Sequence, residues 1–144
     1  MNYALTASEL RGPLYLDASA LGKLIVAEAE SEALESFLEP WPERASSKLA
    51  TIELGRLLLR QRPGEDPAPR LESIMGGIVT IAISDAIVLR AGAIQPPRLR
   101  SLDAIHLATA LSIPGLAGMV VYDGPLAEAA RYHGLTVFSP GAEI

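Results

Sequence analysis

Short apolar runs alternate with longer stretches in which apolar and polar residues recur at helical spacing. The apolar or β-branched runs predict strands at 14–16, 78–83, 119–122 and 135–138, and 44–47 is predicted to be a short edge strand. Because helices separate these strands and most strands are apolar throughout, the pattern predicts an α/β fold whose parallel sheet is covered on both faces.

The amphipathic stretches predict seven helices, which Pro and Gly residues bring to an end. The predicted helices span residues 19–27, 29–38, 48–60, 70–75, 85–94, 102–111 and 125–132. Ser84 and Ser101 precede two of them and are predicted to cap their first N–H groups. Residues 1–12 are predicted to be a loose leader, and they lack the basic start and apolar centre of a signal peptide.

The length and composition fit one globular domain spanning residues 1–144, with a core from about 13 to 141. The chain has 144 residues, 49% of them hydrophobic, which is enough to bury a core. Residues 104–122 carry no formal charge if His106 is neutral, and this length could span a membrane. Pro114, Gly115 and Gly118 interrupt the stretch, so a buried helix followed by a buried strand is the better interpretation.

The charge and the absence of cysteine limit the possible chemistry. A net charge of −5 is unusual for a protein that binds phosphates through basic residues alone, so with a nucleic-acid substrate something must offset the acidity, and a divalent cation is the obvious candidate. Zero cysteines exclude disulfides, thiolate metal sites and a cysteine nucleophile. They are also compatible with a cytoplasmic protein, which is our expectation.

Four acidic residues occupy positions where a site could form. Asp17 and Asp123 follow two predicted strands, Asp103 lies in the first turn of a helix, and Glu53 lies on an apolar helix. If the two strands are neighbours in a parallel sheet, their carboxyl ends bring Asp17 and Asp123 together. Each residue also has a structural interpretation: a helix cap, a favourable charge near a helix start, or an ion pair between Glu53 and Arg56.

Four converging carboxylates would repel one another unless a cation offset their charge or one of them stayed protonated. Mg²⁺ prefers oxygen ligands and keeps several waters. Without cysteine and with only two histidines, the acidic set indicates Mg²⁺ or Mn²⁺ and not zinc. Such a site can activate water and stabilise displacement at phosphorus.

Five motifs, in order along the chain, resemble those of PIN-domain ribonucleases, and the last of them resembles the ending of the VapC toxins. They are residues 14–20 (LYLDASA), 51–54 (TIEL), 102–110 (LDAIHLATA), 122–130 (YD, then LAEAA from 126) and 133–141 (HGLTVFSPG). The resemblance covers about residues 13–141. It implies a three-layer α/β/α sandwich with a mostly parallel central sheet, and metal-dependent cleavage of RNA, commonly tRNA or ribosomal RNA.

The resemblance also implies roles for individual residues and partners. Asp17, Glu53, Asp103 and Asp123 would form the acidic quartet of the family, with Asp17 and Asp103 as its most dependable Mg²⁺ ligands. Ser19 would hold Asp17 or a metal-bound water. A small VapB-like antitoxin and a homodimer are the implied protein partners, with the helices at 29–38 and 48–60 as a possible dimer interface. No membrane partner is implied. The sequence departs from the family after Asp123, where Gly124 and Pro125 stand in place of a polar or basic residue.

Several other residues have both a functional and a structural interpretation. His106 follows Asp103 by one turn, but its helix is apolar, so a packed histidine is the preferred interpretation. Trp41 lies between two prolines and is predicted to anchor its loop in preference to stacking on a base. Arginine suits bidentate phosphate contacts. The arginines proposed to contact an RNA backbone are Arg56, Arg60, Arg98 and Arg100.

Three alternatives to a ribonuclease remain. A phosphatase resembling the haloacid dehalogenases could use Asp17 as its nucleophile, but such enzymes usually need a second aspartate where Ser19 stands. A receiver resembling response regulators would need an acidic pair near the start, where the sequence offers only Glu9. The third alternative is a PIN fold without catalytic activity that only binds a partner.

Overall fold

The structure is a computed structural model that describes residues 12–144. Most of the predicted leader therefore lies outside the described residues. Five strands are present in 12–144: β1 (Leu14–Leu16), β2 (Arg44–Ser47), β3 (Val79–Ile81), β4 (Gly118–Val120) and β5 (Val137–Phe138). The helices of the same range are α1 (Ala18–Lys23), α2 (Ser31–Leu38), α3 (Lys48–Gln61), α4 (Ala68–Met75), α5 (Asp85–Gly92), α6 (Ser101–Leu111) and α7 (Gly124–Tyr132).

The strands form one sheet in the order β3-β2-β1-β4-β5, and every neighbouring pair is parallel. Successive residues of a strand face opposite sides of the sheet, so each face gathers its own core. Tyr15 and Met119 pack with residues of α5, α6 and α7 on one face. Leu16 and Val120 pack with residues of α1, α2 and α3 on the other. The predicted three-layer α/β/α sandwich with a parallel sheet is confirmed.

The positions of two strands were predicted wrongly. Strand β2 was expected at an edge but lies between β3 and β1, with Ser46 and Ser47 fully buried. The hydroxyl of Ser46 donates to the Leu16 carbonyl at 2.6 Å, which satisfies the buried polar group. Strand β3 was expected to be buried but lies at one edge of the sheet, and Val79 is 68% exposed.

Four of the seven helices begin at a side-chain cap. The side chains of Asp17, Ser47, Ser84 and Asp123 accept hydrogen bonds from the first turns of α1, α3, α5 and α7. The predicted cap at Ser101 was wrong, because α6 begins at Ser101 itself and Arg100 is its N-cap, without a side-chain cap hydrogen bond. The uncharged stretch 104–122 forms α6 and β4, and no helix within 12–144 has the length and apolarity to cross a membrane.

Candidate active site

Strands β1 and β4 are hydrogen-bonded neighbours, which brings the acids that follow them to the same edge of the sheet. The backbone N–H of Asp17 donates to the Val120 carbonyl at 3.4 Å. The carboxylate of Asp17 accepts from the Ala20 N–H, and that of Asp123 accepts from the Leu126 N–H, both at 2.9 Å. Both acids therefore cap helices, as the structural interpretation predicted, and both also lie where parallel strands present ligand-binding residues.

Asp17 is the most deeply buried acid of the set, with 4% of the residue exposed. The Ser19 hydroxyl lies 2.7 and 2.9 Å from its two carboxylate oxygens and donates to them. Burial raises the pKa of Asp17 to about 6, although the hydrogen bonds from Ala20 and Ser19 favour the charged form. The charge of Asp103 raises the pKa further. Asp17 thus carries an unfavourable charge at neutral pH, and a bound cation would stabilise it.

Asp103 projects from the first turn of α6 and is partly buried. Its pKa is raised mainly by burial and then by the charge of Asp123, with a smaller contribution from Glu53. His106 and Arg100 act in the opposite direction. Asp103 is therefore within electrostatic reach of the other three acids, because its charge also acts on Asp17.

Glu53 lies on α3 and is held by a histidine instead of the expected Arg56. Its Oε1 atom is 2.6 Å from Nε2 of His106, and its side chain is 27% exposed. His106 is buried, as predicted, and its Nδ1 atom is 2.6 Å from the hydroxyl of Tyr15. Burial raises the pKa of Tyr15, so its hydroxyl is neutral and can donate to Nδ1. The hydrogen-bond pattern then assigns the ring proton to Nε2, which donates to Glu53.

The buried network of Tyr15, His106 and Glu53 connects strand β1, helix α6 and helix α3. Sequence reasoning missed it, because the two hydrogen bonds of His106 join residues 91 and 53 positions apart. The available signals were a tyrosine two residues before Asp17 and a histidine three residues after Asp103. The network fixes the direction of the Glu53 carboxylate relative to the other acids.

The carboxylates fit a hard cation that takes few protein ligands. Within 12–144, no three acidic or imidazole groups are gathered closely enough to make a complete metal cluster. Asp17 and Asp103 nevertheless present carboxylate oxygens whose charges are disfavoured by burial and by a neighbouring acid, which is Asp103 for Asp17 and Asp123 for Asp103. Mg²⁺ and Mn²⁺ suit such a set, because Mg²⁺ is commonly held by one or two carboxylates, with water and phosphate completing its octahedron.

Basic residues surround the acids on two sides. Arg98 and Arg100 line a cavity together with Asp103 and Asp123. Lys23, at the end of α1, lines a second hollow with Ser19 and Asp123, and its ammonium group pairs with Glu28 and Glu30 at 2.5 and 3.0 Å. Sequence reasoning missed Lys23, whose position six residues after Asp17 was the only available signal.

Of the other residues considered as RNA contacts, two arginines are exposed and Trp41 is buried. Arg56 and Arg60 are exposed on α3. Trp41 is 8% exposed and packs against Phe37 and Phe138, with ring centroids 6.0 and 6.1 Å apart. The prediction that Trp41 anchors its loop is confirmed.

Comparison with known proteins gives concordant results in sequence and structure. The family profile of the PIN domain matches residues 14–114. Ribonuclease VapC35 of Mycobacterium tuberculosis is 40% identical over 133 residues, covering 89% of this chain and 97% of that protein. Ribonuclease VapC46 of the same organism is 37% identical over 128 residues, covering 88% of this chain and 97% of the relative.

Two solved structures share the fold. One is VapC20 of M. tuberculosis, described as a toxin that cleaves the sarcin–ricin loop. It matches with a TM-score of 0.68 and 17% identity, over 85% of this chain and 96% of that one. A toxin–antitoxin complex from Klebsiella pneumoniae matches with a TM-score of 0.67 and 24% identity, over 91% and 99% of the two chains. At these identities the likeness concerns the fold alone.

Proposed function

The chain belongs to the PIN-domain family and to its VapC ribonucleases, and we propose that it is a Mg²⁺-dependent endoribonuclease, the toxin of a VapBC-like pair. The 40% identity to a named ribonuclease across 89% of the chain supports RNA as the substrate. The proposed enzyme is a single PIN-like domain over residues 1–144 that acts in the cytoplasm on tRNA or ribosomal RNA. Mn²⁺ is the proposed alternative metal.

One observation carries the catalytic part of the proposal. Asp17 and Asp123 follow the neighbouring strands β1 and β4, and Asp103 lies between them electrostatically: its charge raises the pKa of Asp17, and the charge of Asp123 raises the pKa of Asp103. Burial and the charges of neighbouring acids raise the pKa values of Asp17 and Asp103, so a divalent cation would relieve an unfavourable charge distribution.

In the proposed mechanism, Asp17 and Asp103 hold the cation, and Ser19 fixes the carboxylate of Asp17 through its two short hydrogen bonds. The bound cation would supply electrophilic stabilisation of the phosphate and a water of lowered pKa. Glu53 and Asp123 complete the acidic quartet and orient the attacking water by accepting its hydrogen bonds. His106 is the positioning residue that directs Glu53 into this arrangement.

The proposed partners follow from the surface and from the family. Arg98 and Arg100 are placed to contact the RNA backbone beside the acids, and Arg56 and Arg60 to contact it along α3. A VapB-like antitoxin is the proposed protein partner, consistent with the fold shared with a chain of a toxin–antitoxin complex. A homodimer is the proposed assembly.

A metal titration tests this proposal directly. Mg²⁺ or Mn²⁺ is titrated into wild type and into the double variant Asp17→Asn, Asp103→Asn, and both heat release and cleavage of total RNA are measured. The expected result is binding and cleavage by wild type, with both lost in the double variant. A matched control is Asp66→Asn, Asp85→Asn, which removes the same charge from exposed positions and should retain both activities.

The possible outcomes separate the two functions considered for this fold. Metal binding without cleavage of any RNA in total RNA would favour a PIN-fold binding module without catalytic activity. If no metal binds, with RNA present or absent, the four acids have only a structural role, as helix caps and surface charges. Cleavage that survives in the double variant would exclude Asp17 and Asp103 as the catalytic centre.

A further inference from the structure

A cavity of about 430 Å³ opens directly beside Asp103 and Asp123. One wall is the segment 95–100 that precedes α6, and the other is one face of α7. The segment contributes Gln95 and Arg98 to the lining, and α7 contributes Glu128, Ala129 and Tyr132. The volume lies within the range of pockets that hold small organic ligands.

The α7 wall is a regular stripe of the helix. Pro125, Ala129 and Tyr132 are four and three residues apart, so they project from one face. Tyr132 is 74% exposed, which is unusual for so large an aromatic side chain on an ordinary surface helix. The stripe therefore presents an apolar floor with an accessible aromatic ring at its end.

Two polar contacts join the walls of the cavity. Nε2 of His133, the residue after α7, donates to the Gln95 carbonyl at 3.0 Å. Across the opening, the Arg98 guanidinium and the Glu128 carboxylate are 3.8 Å apart, with both side chains 76% exposed. A pair this exposed contributes little stability, so both groups can be redirected to a ligand.

The chemistry of the lining matches a nucleotide. An aromatic ring and an apolar floor accept a flat base, since bases stack on tyrosine without regard to sequence. The amide of Gln95 and the carboxylate of Glu128 can hydrogen-bond to the edge of a base. Arg98 and Arg100 supply positive charge for the phosphates on either side.

We propose that this cavity is a base subsite, which takes the nucleobase adjacent to the scissile phosphate while the reacting phosphate lies at Asp103 and Asp123. The inference rests on the proposed ribonuclease function and extends it to substrate selection. Asp103 and Asp123 line the cavity, so a phosphate held at these two acids can place its neighbouring nucleotide in it. Gln95 and Glu128 are then specificity-determining residues, and Tyr132 is the stacking platform that holds the base where they meet its edge.

The first test measures binding without catalysis. The four ribonucleoside 5′-monophosphates and ribose 5-phosphate are titrated into wild type, Tyr132→Leu, Tyr132→Phe and Leu89→Ala. Stacking on one aromatic ring predicts that the best mononucleotide binds wild type at least about fivefold more tightly than ribose 5-phosphate. Tyr132→Leu should abolish this ratio and Tyr132→Phe should retain it. Leu89→Ala is the matched control, because Leu89 is 76% exposed on α5, outside the cavity.

The second test maps base preference in cleavage of a random-sequence RNA pool with Mg²⁺. Wild type should prefer certain bases at one position beside the cut, and Tyr132→Leu should abolish this preference, because the base is no longer held where Gln95 and Glu128 meet its edge. Arg98→Ala should lower cleavage of all sequences alike. Arg62→Ala is its control, because Arg62 also forms an exposed ion pair, 3.6 Å from Glu65, away from the cavity.

The outcomes distinguish failure of the subsite from failure of the ribonuclease. If wild type cleaves RNA but binds mononucleotides no better than ribose 5-phosphate, the subsite is overturned and the nuclease stands. If no metal supports cleavage but mononucleotide binding depends on Tyr132, the nuclease fails and the nucleotide site stands. If Tyr132→Leu weakens binding of a VapB-like antitoxin and leaves base preference unchanged, the cavity is a protein-binding site and the proposal is overturned.

Discussion

Burial of Asp17 makes a prediction for stability against pH. The pKa of Asp17 is raised from 3.8 to about 6, so between these values the folded protein holds more protons than the unfolded chain. The free energy of unfolding should therefore fall as pH rises from 4 to 6. In metal-free buffer, Asp17→Asn should be more stable than wild type by up to about 3 kcal/mol at pH 8, with no gain at pH 4.

Urea unfolding at both pH values, with a chelator present, measures this difference. Asparagine keeps the oxygen that accepts the Ala20 N–H, so the cap is retained. The exposed change Asp85→Asn serves as the control and should alter stability by less than about 0.5 kcal/mol. An equal effect of Asp17→Asn at pH 4 and pH 8 would contradict a buried, unfavourable charge.

The network of Tyr15, His106 and Glu53 predicts a defined tautomer at His106. Nitrogen NMR of wild type should show the proton on Nε2 and an unprotonated Nδ1, because Tyr15 donates to Nδ1. Tyr15→Phe leaves Nδ1 without its buried partner and should lower the free energy of unfolding by about 1–3 kcal/mol. It should also reduce cleavage, because His106 no longer holds Glu53 in one orientation.

Tyr122→Phe is a useful comparison for this variant. The Tyr122 hydroxyl donates to the Pro140 carbonyl at 2.8 Å in a part-buried setting, so removing it tests a hydroxyl outside the network. This change should not affect the tautomer of His106. A spectrum with the proton on Nδ1 in wild type would refute the assigned hydrogen-bond directions.

Element identity was predictable from the sequence where local chemistry decides it. Aspartates marked the ends of β1 and β4, and a strong helical periodicity marked α3. The predicted bounds of these two strands and this helix lie within two residues of the bounds in the structure. The order of strands was not predictable, because pairing is decided by contacts far apart in the chain. Strand β2 was predicted at an edge, yet it lies inside the sheet, where a hydrogen bond from Ser46 to Leu16, 30 residues away, accommodates its buried hydroxyl.

The start of α6 predicts a conflict between stability and function. Arg100 is the N-cap of this helix, although its side chain makes no cap hydrogen bond and its charge is unfavourable at a helix N-terminus. Arg100→Ser should raise the free energy of unfolding by about 1 kcal/mol. The same change should weaken RNA binding and reduce the dependence of log affinity on log salt by about one unit.

Urea unfolding and RNA binding at several salt concentrations measure the two effects of Arg100→Ser. Arg98→Ser separates them, because Arg98 lies outside the helix and its loss should weaken RNA binding without adding stability. If Arg100→Ser stabilises the protein and leaves RNA binding unchanged, Arg100 is not a phosphate contact.

At the scale of the whole molecule, a negatively charged protein is proposed to bind a negatively charged substrate. The net charge of −5 was visible in the sequence, and so was the need for a cation. The sequence could not show that Arg98 and Arg100 share a cavity with Asp103 and Asp123. One wall of this cavity is α7, and only the folded chain brings α7 against the segment 95–100. The arrangement places two arginines beside the acids in a chain whose net charge is negative.

The proposed homodimer makes the last prediction, which concerns exposed apolar residues of α3. Ile52 and Leu59 are seven residues apart on one face of this helix and are 63% and 37% exposed. Burying such a face in a second copy is favourable by about 25 cal/mol per Å² of apolar surface. Sedimentation equilibrium should give a dimer mass for wild type and a monomer mass for the double variant Ile52→Asp, Leu59→Asp.

The comparison variant Val88→Asp, Leu89→Asp introduces the same charges into exposed positions of α5, at 54% and 76% exposure. It should remain dimeric if α3 forms the interface, and circular dichroism should show that both variants are folded. A dimer disrupted only by the α5 changes would move the interface to that side of the sheet. A wild type that is monomeric at every concentration would leave these apolar residues available to the antitoxin, because α3 also carries Glu53 and lies beside the proposed active site.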